Sequence, residues 1–191
     1  MKKHMTTSIK IIIIVALMAI FNACKTAPPA SSPVGEVEVI VPCSGSEYFS
    51  TNEVFRANSI GESSDQVISK KKALTNVRAE LAASIQTTVK TVTDNYVNSR
   101  EFNNKEEVEE RFESLNREVV NQEISGTAVI CEKQMRTSEG RYKTYMALEI
   151  AASDLLQAYN ERLSKDERLK IDYDYEKFKK TFDEEMSKMG N

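Results

Sequence analysis

SSDQVISKKKALTNVRAELAASIQTTVKTVTDNY, residues 63–96, decides how the rest of the chain is read. Its apolar residues Leu74, Val77, Leu81, Ile85, Val89, Val92 and Tyr96 recur three or four apart, so they fall on one stripe of a helix about nine turns long. Lys70, Lys71, Arg78, Glu80, Gln86 and Lys90 lie mostly off that stripe, which predicts a single amphipathic helix laid on a flat partner. Ser63 and Gln66 have the spacing of a capping box at its start. Ala73, Ala79, Ala82 and Ala83 are small enough to let a sheet approach closely. No catalytic pattern sits on this stretch.

Outward from the helix, Glu53–Ile60 reads as a strand, with Phe55, Ala57 and Ser59 on one face, Arg56 and Asn58 on the other, and Gly61 at its end. Before it, Val37, Val39 and Val41 alternate until Pro42 and Cys43 interrupt them, which predicts a short edge strand. After Tyr96 comes a polar break, and then a second helix with a start signal in Asn104 and Glu107 and an apolar face of Val108, Phe112, Leu115 and Val119. Its acidic run Glu106, Glu107, Glu109 and Glu110 reads as a solvated face near the positive end of the helix dipole. Two strands follow, Ile124–Met135 and Arg141–Ala151, joined by a turn that ends in Gly140. Tyr142, Thr144, Met146, Leu148 and Ile150 share one face of the second, while Lys143, Tyr145 and Glu149 share the other. Ser153 reads as the cap of a short helix through Leu163. A last helix spans about Asp166 to Met189, with Ile171, Tyr175, Phe178, Phe182 and Met189 at helical spacing and Gly190 at its close. This order predicts an α+β fold: an antiparallel sheet of three or four strands, the long helix packed across it, and C-terminal helices.

The N-terminus reads differently. Lys2, Lys3 and Lys10 precede the apolar run Ile11–Phe21, a charged region followed by a core too short to span a bilayer, as in a secretory signal. The run ends in Phe21-Asn22-Ala23-Cys24, where a small residue before a cysteine resembles the lipobox of bacterial lipoproteins, with Phe21 where the usual pattern has Leu. The expected division is a signal peptide over 1–23, a Pro- and Ser-rich flexible tether over 24–35, an α+β domain over 36–164 and an amphipathic helix over 165–191. Cleavage before Cys24 removes three lysines and the chain's one histidine, His4, leaving 23 basic against 29 acidic residues and a net charge of −6. Such a chain is poorly suited to nucleic acid, and without imidazole it has no His-based triad or His-ligated metal site. With Cys24 given to lipid, Cys43 and Cys131 are left, either paired as a disulfide in an oxidising compartment or buried as thiols.

Pro42 to Tyr96, with FRANSIGESSD leading into KKALTNVRAELAASIQ, and the later segment Gly140–Glu149, GRYKTYMALE, resemble the Lpp-twenty type of bacterial envelope lipoproteins and their flagellum-associated relatives. The likeness covers roughly residues 42 to 155 and leaves the region after Asp166 unaccounted for. It implies an envelope lipoprotein with a compact α+β domain and no enzymatic activity. The expectation is a non-enzymatic binding or assembly module without cofactor. Lipid on Cys24 would hold it to the outer membrane, facing the periplasm since the tether lacks acidic residues, with an envelope protein or a second copy as partner. The alternatives are a glycan hydrolase working with carboxylates alone, for which Glu106, Glu107, Glu109, Glu110 and Glu149 show no convergence, and a carrier of a small apolar ligand held between helix and sheet. A Ser69–Lys72 dyad has no supporting motif. Tyr173, Tyr175, Phe178 and Phe182 on the last helix serve either a partner or the domain's own core.

Overall fold

The computed structural model describes residues 35, 39–102, 104–170 and 173–189 and divides into two units, 1–39 and 40–191. Every helix and strand below belongs to the second; Cys24, the signal, the tether up to residue 34, Val37, Ile171 and Gly190 lie outside the described residues. The element order is β1 (Val54–Ser63), α1 (Gln66–Asn98), α2 (Lys105–Glu123), β2 (Ala128–Arg136), β3 (Tyr142–Ala151), α3 (Ala152–Lys165) and α4 (Tyr175–Met186). Short 3-10 turns occupy Ser46–Tyr48 and Ile124–Gly126.

The sheet is antiparallel in the order β1-β3-β2, with α1 laid across one face. The β1–β3 register sets Phe55 beside Ile150, Ala57 beside Leu148, Ser59 beside Met146 and Gly61 beside Thr144. The strands alternate as expected, so Phe55, Thr144, Met146, Leu148 and Ile150 are buried on the face that α1 covers. From α1 the stripe Val77, Leu81, Ile85, Val89 and Val92 is fully buried, and Tyr96 nearly so. Leu74 and Ala82 flank it half-buried. Ala73 is the only one of the four small residues that is fully buried; Ala79 and Ala83 face water.

Several boundaries move, each for a local reason. The N-cap of α1 is Asp65, whose Oδ1 accepts from the Ile68 amide at 2.9 Å. Ser63 stays in β1, paired with Tyr142, and Gln66 reaches sideways to Gln134, so the Ser63–Gln66 box does not form. Gly61 does not end its strand but lies within it, because α1 crosses there: a Cβ on Gly61 would sit 2.2 Å from the Ser69 carbonyl oxygen and 2.3 Å from the Ala73 nitrogen. Val41 is not in a strand, and β2 begins at Ala128 after the 3-10 turn rather than at Ile124. The hairpin turn bends as the sequence suggests: Gly140, at φ +81°, donates its amide to Thr137 at 2.9 Å. Ala151, not Ser153, stands at the N-cap of α3.

The last helix is shorter than its apolar spacing suggests. It starts at Tyr175, capped by Asp174, whose Oδ1 accepts from the Lys177 amide at 3.2 Å. Asp166 instead folds a turn, accepting from the Arg168 and Leu169 amides at 3.0 and 3.2 Å and from Arg111 Nε at 2.6 Å. The helix does not protrude. Phe178, Phe182 and Met186 are buried, and Phe178 lies against Tyr96, Phe112, Tyr159 and Tyr173 with ring centroids 5.5–6.5 Å apart. The aromatics of the last helix therefore belong to the domain's own core, except Tyr175, which stays exposed. Long α1 thus serves two layers: its first half covers the sheet, and its second half joins α2, α3 and α4 in a helical cluster.

Candidate functional site

Against the face of the sheet that α1 leaves free runs the segment before β1. Cys43 at its start is disulfide-bonded to Cys131 of β2, Cα atoms 5.7 Å apart, and Ser50 near its end grips β1, accepting from the Arg56 amide at 2.9 Å and donating to the Arg56 carbonyl at 3.1 Å. Cys43 is buried in the left-handed region, φ +58°, a conformation a non-glycine residue keeps only when its surroundings hold it there. Beside Cys131 in the register lies Ala147, fully buried although it points away from α1. The rest of this face mixes ion pairs with apolar side chains, Ile60 beside Tyr145 and the exposed Met135 among them. Arg56 pairs with Glu149 at 2.9 Å, and Glu62 takes Arg141 at 2.5 Å and Lys143 at 3.6 Å.

The acidic residues considered for hydrolysis are spread over separate surfaces. Glu149 is held by Arg56 on the sheet, and Glu107 lies 3.6 Å from Arg168. Glu106, Glu109 and Glu110 line an open groove of about 710 Å³ between α1 and α2, together with Asp94, Lys90 and Arg117. At the floor of that groove Asn116 is buried, accepting the phenol hydrogen of Tyr159 on Oδ1 and donating to the Gln86 carbonyl at 3.4 Å. Burial pushes the Tyr159 phenol far above its ordinary range. Ser69 and Lys72 point to different neighbours: Ser69 Oγ donates to the Gly61 carbonyl and meets Thr144 Oγ1, each at 2.9 Å, while Lys72 Nζ reaches the Glu62 carbonyl at 3.2 Å. Among the described residues no group of three His, Cys, Asp or Glu side chains is placed to hold a metal ion, and no helix is long and apolar enough to cross a membrane.

No family model, curated protein or solved structure matches this chain. Its surface must therefore be read from its own chemistry, and the two edges of the sheet differ. In β1 the even-numbered residues turn their backbone groups outward, since Thr51, Ser50, Asn76 and Lys72 reach those of Val54, Arg56, Ile60 and Glu62. That edge is largely sealed. Alternation across the ladder then turns the backbone of Glu149, Ala147, Tyr145 and Lys143 toward β2, where their partners Ala128, Cys131, Lys133 and Met135 point back at β3. Glu132, Gln134 and Arg136 consequently present their amides and carbonyls outward, and no hydrogen bond from the described residues reaches them. Reading the sequence alone misses this asymmetry, because the sealing side chains come from α1 and from the segment before β1. Only the charged residues inside a strand pattern, Glu132, Lys133 and Arg136, hint that β2 is an edge.

Proposed function

We propose that this protein is a lipid-anchored envelope lipoprotein of bacterial type, fixed to the outer membrane through Cys24 and acting there as a non-enzymatic binding or assembly module. The observation that carries the reading is the run from Lys2 to Cys24: basic residues, an apolar core of signal-peptide length and a small residue directly before a cysteine. The Cys43–Cys131 disulfide supports it, since such bonds persist in compartments outside the reducing cytosol. So does the resemblance of residues 42 to 155 to the Lpp-twenty type. Several acyl chains at about 0.8 kcal/mol per buried CH₂ would make a firm anchor.

Metabolic labelling with a radioactive fatty acid tests the reading, comparing the full chain with its Cys24→Ser variant in a bacterial host. Label on the parent in the membrane fraction, and its loss from the variant, is the expected result. A parent secreted free with an unmodified thiol, or a variant that still takes up label, overturns it.

A further inference from the structure

We infer that the outer edge of β2 is a self-association surface, on which a second copy of this chain pairs its own β2 antiparallel to the first. The inference stands on the sheet alone and does not depend on whether Cys24 carries lipid.

The edge itself supplies the first argument. One side of the sheet is closed by Ser50, Thr51, Lys72 and Asn76, whereas the outward amides and carbonyls of Glu132, Gln134 and Arg136 have no partner among the described residues. Extended backbone presented this way is a template for another strand.

Register and charge then choose the occupant. A two-fold axis perpendicular to the sheet at Gln134 sets Gln134 against its own copy and Glu132 against Arg136 of the second copy, twice over by symmetry. Each of these residues is one whose backbone points outward, so every facing pair can exchange both of its ladder hydrogen bonds. Shifting the axis to Glu132 or to Lys133 places that charge opposite itself, which is destabilising. Moving it to Met135 pushes Glu132 past the end of the strand. Only the Gln134 register uses the whole outward set and joins unlike charges.

Side chains on both faces suit this register. Arg136 has no carboxylate within ion-pair distance among the described residues and stacks over the Tyr142 ring at 5.7 Å, so it is a cation without a counter-charge. Glu132, facing it in the pair, is held in place by Lys70 at 2.9 Å. On the opposite face the stem of Lys133 lies beside Met135 of the second copy, and Met135 is half-exposed in the single chain. The register break between Val129 and Cys131, a bulge, ends the pairable stretch at its other end.

The test uses the full chain in a Cys24→Ser background, so that the remaining native thiols are already bonded to each other. Gln134→Cys puts a thiol on the axis, where facing Cα atoms of a hydrogen-bonded pair lie about 5.5 Å apart, within disulfide reach. Ala128→Cys, on the same strand but far from the axis, is the control. Mild oxidation should convert at least about ten times more Gln134→Cys than Ala128→Cys protein to a covalent dimer on a non-reducing gel. Adding Glu132→Arg should abolish that dimer, and adding Arg136→Glu as well should restore it. Equal cross-linking at both positions, none at either, or no rescue by the double charge reversal overturns the inference. Circular dichroism of each variant checks that the monomer fold persists, which is expected because Ala128, Gln134 and Arg136 are exposed and Glu132 is only half-buried.

Discussion

Replacing Gly61 by Ala tests the close approach of β1 to the backbone of α1. With α1 where it stands, the added Cβ would lie 2.2 Å from the Ser69 oxygen and 2.3 Å from the Ala73 nitrogen, whereas real Cβ atoms essentially never come within 3.0 Å of such neighbours. Both obstacles are helix backbone, so no side chain can swing aside; strand and helix must part by roughly an ångström, which forfeits about a quarter to a half of each dispersion contact across the gap. Ser69, Ala73, Val77 and Leu81 line that seam, all fully buried. Overpacking of this kind costs about 1–3 kcal/mol, and loosening the buried Ser69 hydrogen bonds to Gly61 and Thr144 adds about 1 kcal/mol. Against this, alanine lowers the entropy of the unfolded chain by the equivalent of about 0.4–1 kcal/mol. The balance is a loss of about 1–3.5 kcal/mol, read in thermal unfolding as a drop of roughly 3–10 °C. Gly126→Ala, where nothing lies within 4 Å of the added atom, serves as the control and should stay within about 0.5 kcal/mol. A Gly61→Ala protein that melts within about 1 °C of the parent would refute the packing derived for this seam.

Three further outcomes are expected. Phe178→Ala empties the centre of the aromatic cluster and should cost about 3–5 kcal/mol in urea unfolding, while Tyr175→Ala, exposed on the same helix, should change stability by less than about 0.5 kcal/mol. Equal effects would mean that the last helix is not docked. Replacing both Cys43 and Cys131 by Ala opens a cross-link spanning 88 residues and should lower stability by about 2–4 kcal/mol, matched by the parent in reductant and absent if the thiols are not joined. Burial alone would raise the Asp166 carboxyl, but the hydrogen bonds from Arg111 and from the Arg168 and Leu169 amides hold it below its ordinary range. The folded chain thus binds this proton less readily than the unfolded one. Its contribution is complete above the ordinary aspartate value of about 4 and disappears as pH falls through the lower folded value. Asp166→Asn should therefore flatten the acid limb of the stability–pH curve below about pH 4, and an unchanged slope would count against the Arg111–Asp166 link.

Periodicity is a local property, and what depends on it was legible in the residues themselves. The stripe from Val77 to Tyr96, the alternation of Tyr142 to Ile150, the turn at Gly140 and the α+β order all follow from side chains a few positions apart along one element. Where two local solutions were nearly equal, the tertiary structure chose. Ser63, Asp65 and Asn104 all have the chemistry of a cap, yet Ser63 is held in β1 by pairing with Tyr142, so the duty falls to Asp65. The stretch from Asp166 to Tyr175 reads as helix by apolar spacing, but Asp166 spends its carboxylate on a turn and on Arg111, a partner 55 positions away. Gly61 looked like a strand terminator because its real neighbour, the backbone of α1, approaches only after the chain has folded back. The docking of α4, the joining of Cys43 to Cys131 and the contrast between a sealed β1 edge and an open β2 edge are likewise contacts between distant segments. Such contacts depend on how completed elements stack, which no window along the chain contains.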